Sequence, residues 1–215
     1  MLDADPQLAL QHLSRVDPVL SRAIDQIGVY QLNPPKGTAF QALLKSIVYQ
    51  QLSGRAAGTI HRRLLDLLPR STNAQAQEIC RLDDETLRGA GLSRSKMLSI
   101  RDLSQRQLEQ KIPSRSQMHR LSDDEIIATL TEIRGVGPWT AQMILMFWLG
   151  RSDVLPLADL GIRRGYQILY QRSESNDLAE LMELGETWKP YRSIAAWYLW
   201  RVADTANSPD APTDW

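Results

Sequence analysis

Apolar residues recur along most of this chain at the spacing of an amphipathic helix, and alternating strand-like runs are scarce. The clearest stretch follows Thr38, a residue suited to cap a helix, and its apolar face consists of Phe40, Leu43, Leu44, Ile47 and Val48. Similar patterns predict helices over residues 18–27, 56–68, 94–103, 139–149, 160–170, 177–184 and 191–204. The sequence therefore predicts an all-α fold.

The composition is that of a globular protein, with 43% hydrophobic and 23% charged residues among 215. This length suffices for one packed domain or for two small helical lobes. The single cysteine, Cys80, excludes an internal disulfide and a four-cysteine iron–sulfur cluster, and it favours a reducing compartment. We expect no signal peptide and no membrane span, because no apolar run is long enough.

The formal net charge of zero weakens the case for a nucleic-acid partner, because phosphate binding usually needs a basic surface. The charge is unevenly distributed, however. Residues 55–70 and 88–106 are rich in arginine, whereas residues 3–25 lean acidic. A neutral total is therefore compatible with one basic face.

The strongest motif is a tight turn between two predicted helices. Ser122 and Glu125 have the spacing of a capping box for the first helix, and Pro138 suits the first position of the second. Between them, Gly135 and Gly137 allow the backbone to turn sharply and to approach another molecule closely. The amides that begin the second helix form a potential anion site, suited to a DNA phosphate. A plain helical corner is the alternative.

The segments around this turn resemble the helix-hairpin-helix superfamily of base-excision DNA glycosylases. Asp159 follows Trp139 by 20 positions (159 − 139 = 20), where that family has its catalytic aspartate. The resemblance extends over roughly residues 38–204 and includes the segments 46–53, 91–96, 130–141, 154–164 and 188–193. It is greatest for the 3-methyladenine DNA glycosylase II group. The chain resembles compact members, which lack the extra N-terminal β-rich domain of many bacterial enzymes.

The resemblance implies two helical lobes around a cleft. Residues 38–160 would form one lobe, with the helix-hairpin-helix at about 122–150. The other lobe would combine the N-terminal helices of residues 1–37 with the C-terminal helices of residues 161–206, and Asp159 would lie at the mouth of the cleft. Residues 207–215 contain two prolines and few apolar residues, so we expect a loose tail.

Asp159 is the expected catalytic carboxylate. Breaking an N-glycosidic bond builds positive charge on the sugar, which a fixed carboxylate stabilises while it orients or deprotonates a water. Asp159 could instead only cap the helix that begins at Leu160, or it could do both. Family members that also nick the strand have lysine at the position of Trp139 to form a Schiff base. The resemblance therefore implies a monofunctional enzyme.

The resemblance also implies a base pocket lined by Trp139, Met143 and Trp200. Stacking on a flipped base suits an aromatic ring, and a cationic alkylated base gains further from its face. Core packing beside Met143 and Met146 is the alternative for Trp139. With six tryptophans in the chain, several must belong to the core, which leaves the same alternative open for Trp200.

The remaining expected DNA contacts lie in two regions. Phosphate would be bound by backbone or hydroxyl groups of Gly135, Val136, Gly137 and Thr140. The basic side chain of Lys96 would also contact the DNA backbone. Gln51 or Leu52 would fill the gap left by the flipped nucleotide. As alternatives, Gln50 and Gln51 would be helix-end residues bonded to backbone, and Lys96 would lie on a solvated face. No cofactor is expected, except a structural Na⁺ or K⁺ held by the carbonyls of Thr131, Ile133 and Val136.

Together these features predict a glycosylase that hydrolyses alkylated bases, such as 3-methyladenine and 7-methylguanine, in base excision repair. The expected partner is double-stranded DNA with a damaged base, bound by a monomer away from membranes. We expect a cytoplasmic, nucleoid-associated location, or the nucleus in a eukaryote. The alternatives are a glycosylase for deaminated or mismatched bases, a non-catalytic damage-binding module, and a helical scaffold unrelated to DNA.

Overall fold

A computed structural model describes residues 3–172 and 177–207 of the chain. All regular secondary structure within these ranges is helical, which confirms the all-α prediction. The chain divides into two compact units: one contains residues 35–144, and the other combines the described residues before 35 with those after 144. No described helix has the length and apolarity needed to cross a membrane.

The unit of residues 35–144 contains eight α-helices. They are α3 (Ala39–Tyr49), α4 (Gly54–Asp66), α5 (Thr72–Arg81), α6 (Asp84–Gly89), α7 (Arg94–Leu108), α8 (Arg115–Met118), α9 (Asp123–Thr131) and α10 (Pro138–Met143). Each of α3 to α9 begins after a short polar side chain that accepts a hydrogen bond from a first-turn amide: Thr38, Ser53, Ser71, Asp83, Ser93, Ser114 and Ser122. The predicted face of α3, from Phe40 to Val48, is buried in the core.

The predicted helix-hairpin-helix is confirmed. Ser122 and Glu125 form the capping box at the start of α9, and Pro138 occupies the first position of α10. The predicted second helix does not remain α-helical to Leu149, because residues Ile144–Leu149 form a π-helical segment directly after α10. Residues of this segment are almost entirely apolar, so their periodicity could not distinguish an α-helix from a π-helix.

The second unit contains five α-helices and most of the π-helical segment. The helices are α1 (Pro6–Val16), α2 (Pro18–Ile27), α11 (Leu160–Tyr170), α12 (Asp177–Thr187) and α13 (Arg192–Asn207). Buried Asp17 joins three of its parts. One carboxylate oxygen caps α2, and the other accepts hydrogen bonds from Tyr170 at 2.6 Å and Trp188 at 2.9 Å. Four donors thus satisfy a carboxylate that would otherwise be costly to bury.

The unit boundaries differ from the expected ones at residues 37 and 160. They fall after residues 34 and 144, so the loop before Asp159 belongs to the same unit as α11 and α13. The physical reason is that this loop bonds to the start of α13: the Ser193 amide donates to the Ser152 carbonyl at 2.9 Å. Of the expected tail, residues 208–215 lie outside the described ranges.

Candidate active site and nucleic-acid interface

Asp159 lies at the N-terminus of α11, where its side chain is fixed by two donors. It is 8% exposed, and Oδ1 accepts hydrogen bonds from the Ile162 amide at 2.9 Å and from the Trp200 indole at 2.8 Å. The capping role is therefore present. Because capping uses one oxygen in a fixed orientation, it defines how the carboxylate is presented and does not compete with a chemical role.

Helix α13 anchors the loop that leads to Asp159. Near the start of the loop, Asp153 pairs with Arg192 through two bonds, Oδ1 to Nε at 2.8 Å and Oδ2 to Nη2 at 3.0 Å. The Val154 amide donates to Ser193 Oγ at 2.9 Å. Trp200 lies further along the same helix and bonds Asp159 itself. The loop is thus held at both ends by one helix, which gives the carboxylate a rigid position.

Two glycines of α11 make the close approach of α13 possible. A Cβ atom at Gly161 would lie 2.8 Å from Trp200 Cδ1 and 3.1 Å from Asp159 Oδ1. A Cβ atom at Gly165 would collide with the backbone carbonyl of Leu199. Both positions therefore need glycine for space, and the hydrogen bond between Trp200 and Asp159 depends on that space.

Trp200 was expected to line the base pocket, and the structure places it beside the candidate catalytic residue. Its indole is half-buried, and its ring centroid lies 5.4 Å from that of Phe147 at an interplanar angle of 34°. The role of Trp200 as a hydrogen-bond donor to Asp159 was not predicted. Sequence gives no direct signal for it, because the two residues are 41 positions apart.

In the hairpin, the two glycines serve different purposes. Gly135 has φ +77°, and a Cβ atom there would lie 2.5 Å from Ser99 Oγ, so both its conformation and its packing require glycine. Gly137 has φ −96°, which any residue adopts, and a Cβ atom would meet nothing within 4 Å. Open space beside Gly137 fits the expected close approach of another molecule.

Two charged residues of helix α7 bind the hairpin through hydrogen bonds and an ion pair. Asp102 Oδ2 accepts a hydrogen bond from the Arg134 amide at 2.8 Å and another from Arg106 Nε at 3.1 Å. Arg106 also pairs with Glu132 at 3.0 Å. None of these residues was singled out from the sequence, although Asp102 and Arg106 have the four-residue spacing of a helical ion pair.

The residues expected to contact DNA from α3, α7 and α10 lie in different settings. Gln51 and Leu52 are exposed in the loop between α3 and α4, and Leu52 is 40% exposed. Thr140 is buried and lies 3.3 Å from Gln50 Nε2. Lys96 is half-buried, donates to the Val48 carbonyl at 2.6 Å, and has a pKa lowered by burial. Thr140 and Lys96 therefore bind the protein's own groups, which favours positioning roles.

Gln50, by contrast, fits the alternative of a helix-end residue bonded to backbone. Its side-chain amide donates to the Gly135 carbonyl at 2.9 Å.

The expected base-pocket residues of α10 differ in exposure. Trp139 is half-buried on the first turn of α10, and Met143, one turn later, is 3% exposed.

Among the three carbonyls expected to hold a cation, that of Ile133 accepts the Val136 amide at 3.0 Å. A carbonyl oxygen has a second lone pair, so this bond leaves room for an ion.

The chain belongs to the HhH-GPD superfamily of base excision DNA repair proteins, whose family model matches residues 44–190. It is 33% identical to DNA-3-methyladenine glycosylase 1 of Schizosaccharomyces pombe over 198 residues, which cover 91% of this chain and 87% of the relative. A crystal structure of a DNA-3-methyladenine glycosidase from Bacillus halodurans is 34% identical with a TM-score of 0.82 and covers 96% of this chain and 93% of the other.

A further similar structure is that of the Schizosaccharomyces pombe 3-methyladenine DNA glycosylase in complex with abasic DNA. It has a TM-score of 0.80 and 33% identity, and it covers 95% of this chain and 99% of that chain. The superfamily expected from the sequence is therefore confirmed.

Proposed function

We propose that this protein is a monofunctional DNA glycosylase that flips out alkylated bases and hydrolyses their N-glycosidic bonds, with Asp159 as the catalytic carboxylate. The observation that carries the proposal is the fixed, 8% exposed carboxylate of Asp159, held by Ile162 and Trp200 in a member of a base-excision family. Similarity to relatives named 3-methyladenine glycosylases supports alkylated bases as the substrate class.

Asp159 acts on the sugar. As the base departs, positive charge develops on the sugar ring, and a nearby carboxylate of fixed orientation stabilises it without reorganising. The same carboxylate orients a water for attack at the anomeric carbon and accepts its proton. A base methylated at a ring nitrogen carries a positive charge that is neutralised when it leaves, so the bond is already weak and a modest catalyst suffices.

Trp139 acts on the base and defines the type of product. An aromatic ring stacks on a flipped base and stabilises a cationic one. Tryptophan cannot form a Schiff base with the sugar, so the strand stays intact and carries an abasic site. Met143, one turn further along α10, is proposed to support this surface.

The hairpin binds the DNA backbone. The backbone amides of Gly135 and Gly137 bind a phosphate of double-stranded DNA, whereas the Val136 amide donates to the Ile133 carbonyl and shapes the turn. Gln51 or Leu52 fills the space that the flipped nucleotide leaves. A Na⁺ or K⁺ ion at the carbonyls of Thr131, Ile133 and Val136 would bridge the hairpin to phosphate without taking part in the chemistry. We propose that a monomer binds the damaged DNA, at the nucleoid or in the nucleus.

The experiment compares wild-type protein with Asp159→Asn on DNA methylated to carry 3-methyladenine and 7-methylguanine. Asparagine caps a helix as well as aspartate does, so folding and DNA binding should persist while the single-turnover rate of base release falls by roughly 100-fold or more. Asp5→Asn is the matched control, because Asp5 caps α1 through an equivalent bond to the Gln7 amide at 2.8 Å. Excision by Asp159→Asn at the wild-type rate would show that another group performs the chemistry.

A borohydride trapping reaction tests the monofunctional assignment separately. The expected product strand breaks only after added alkali, and no protein–DNA adduct forms. An adduct that accumulates in step with base release would show that a lysine attacks the sugar, and the enzyme would then be a lyase.

A further inference from the structure

Gln50 connects two segments that the sequence separates by 85 positions. It is the C-terminal cap of α3 and the first residue of the loop that leads to α4. Its side-chain Nε2 donates to the Gly135 carbonyl at 2.9 Å and lies 3.3 Å from Thr140 Oγ1. The loop is thereby attached to the hairpin turn through the Gly135 carbonyl and to the first turn of α10 through Thr140.

The loop has a shape that needs external support. Gln51 adopts φ +58°, a left-handed conformation that costs free energy for any residue with a Cβ atom. Such a conformation persists only where the surroundings fix it. Two hydrogen bonds support the chain at this point: Gln50 at the start of the loop bonds the Gly135 carbonyl, and Lys96 bonds the Val48 carbonyl in the last turn of α3. Gln51 and Leu52 remain exposed on the outer side.

We propose that Gln50 is a positioning residue that couples phosphate binding by the hairpin to insertion of the Gln51–Leu52 loop into DNA. When the hairpin amides hold a phosphate, the Gly135 peptide is fixed, and through Gln50 the loop is fixed in register with it. The inference rests on the proposed function. It assigns Gln50 to base flipping and not to bond cleavage, which makes the two separable.

The variant Gln50→Met retains the length of the side chain and removes its donor, and Gln50→Glu replaces the donor with a carboxylate that faces the Gly135 oxygen. The matched control is Gln107→Met, because half-buried Gln107 also donates a side-chain hydrogen bond, to Asn73 at 3.1 Å, and lies outside the hairpin and the loop. All proteins are compared at a temperature where circular dichroism shows each of them folded.

The measurement is single-turnover release of 7-methylguanine from two duplexes. In one the lesion pairs with cytosine, and in the other it lies opposite an abasic site, where flipping costs less. Gln50→Met should lose about tenfold in rate on the paired lesion, the equivalent of one hydrogen bond, and less than about twofold on the unpaired lesion. Gln50→Glu should lose at least as much on the paired lesion, and Gln107→Met should match wild type on both.

Two outcomes would overturn the coupling: equal losses of Gln50→Met on both duplexes, or no loss on either. A direct readout adds the fluorescence of 2-aminopurine beside the lesion, measured in the Asp159→Asn background. Unstacking on binding should decrease when Gln50→Met is added, and unchanged fluorescence would also overturn the coupling. If wild-type protein releases no base from either duplex, the proposed function fails, which is distinct from failure of the coupling.

Discussion

The indole nitrogen of Trp200 donates a 2.8 Å hydrogen bond to Oδ1 of Asp159, the same oxygen that caps α11 through the Ile162 amide. One carboxylate oxygen is thus fixed by a helix N-terminus and by a side chain of another helix. This arrangement restricts the rotation of the carboxylate and leaves its orientation independent of the DNA. It also gives Trp200 a role that is separable from contact with a base.

Trp200→Phe separates these two roles, because phenylalanine retains a ring against Phe147 and loses the donor. A hydrogen bond to a charged group contributes about 1.5–3 kcal/mol, so we expect the excision rate to fall by roughly 10- to 100-fold. Single-turnover kinetics measure this change. Trp197→Phe is the control, since half-buried Trp197 on the same helix packs on Tyr30 at 5.2 Å and should stay within about twofold of wild type. An unchanged rate for Trp200→Phe would mean that the Trp200 hydrogen bond is not needed to orient the carboxylate.

The substitutions Gly161→Ala and Gly165→Ala in α11 each add one methyl group, but we expect them to affect stability and excision rate differently. Gly161→Ala places a methyl group 2.8 Å from Trp200 Cδ1 and 3.1 Å from Asp159 Oδ1, two side-chain atoms that can shift at the expense of their mutual bond. Gly165→Ala places it against the Leu199 carbonyl, where backbone must move. Overpacking costs about 1–3 kcal/mol, so we expect Gly165→Ala to lower the melting temperature clearly.

Gly161→Ala should instead lower the excision rate more than the stability. Thermal unfolding and single-turnover excision, measured on both variants, provide the comparison. The argument fails if Gly161→Ala is fully active, or if the two variants lose stability and activity in the same proportion.

Much of this architecture could be predicted from the sequence, because capping residues and glycines act locally. The positions of Thr38, Ser93, Ser122 and Pro138 define helix starts that the structure confirms. The hairpin was predictable for the same reason, since its turn lies within a few residues of both helices. The predicted helix over residues 139–149 has the expected extent, but it is π-helical after Met143. The sequence does not indicate this change, because an apolar segment buried on several sides has no polar face to show its period.

The support of the candidate site was not predictable, because it depends on contacts between distant segments. Asp153 and Arg192 are 39 positions apart, and Gln50 and Gly135 are 85 apart. Lys96 is an example of a partner that the sequence does not indicate. A lysine in a basic stretch suggests a DNA contact, but the Lys96 ammonium group donates a hydrogen bond to the Val48 carbonyl in the last turn of α3. A single sequence records which groups are available and not which partners they find.

Trp139→Leu tests the expected contact between this ring and the base. A cation–π contact contributes about 0.5–2 kcal/mol, so release of cationic 7-methylguanine should slow by a few-fold to roughly 30-fold, and release of neutral hypoxanthine should slow less. Melting temperature should change little, because Trp139 is half-buried. Trp148→Leu, at a tryptophan only 3% exposed, shows the contrasting loss of stability expected for a core aromatic. A collapse of stability in Trp139→Leu would make Trp139 a core residue as well.

Asp102→Ala should change the affinity for DNA through two effects of opposite sign, so the sign of the measured change shows which effect is larger. Asp102 accepts the Arg134 amide of the hairpin turn and one bond from Arg106. By electrostatics alone, removing a negative charge near a phosphate site should tighten binding. That effect is small, because the Asp102 side chain is 34% exposed and salt screens exposed charges.

Loss of the anchor acts in the opposite direction and should prevail. The turn then orders itself only on binding, and the hydrogen bond to a charged group that is lost contributes about 1.5–3 kcal/mol before the exposure of Asp102 is discounted. We therefore expect affinity for abasic-site DNA to fall by about threefold to tenfold, with faster hydrogen exchange of the Arg134 amide. Titrations at several salt concentrations separate the two effects, because the electrostatic one fades with salt and the loss of order does not. Tighter binding by Asp102→Ala at low salt that returns to the wild-type affinity at high salt would show that Asp102 acts on DNA only through its charge.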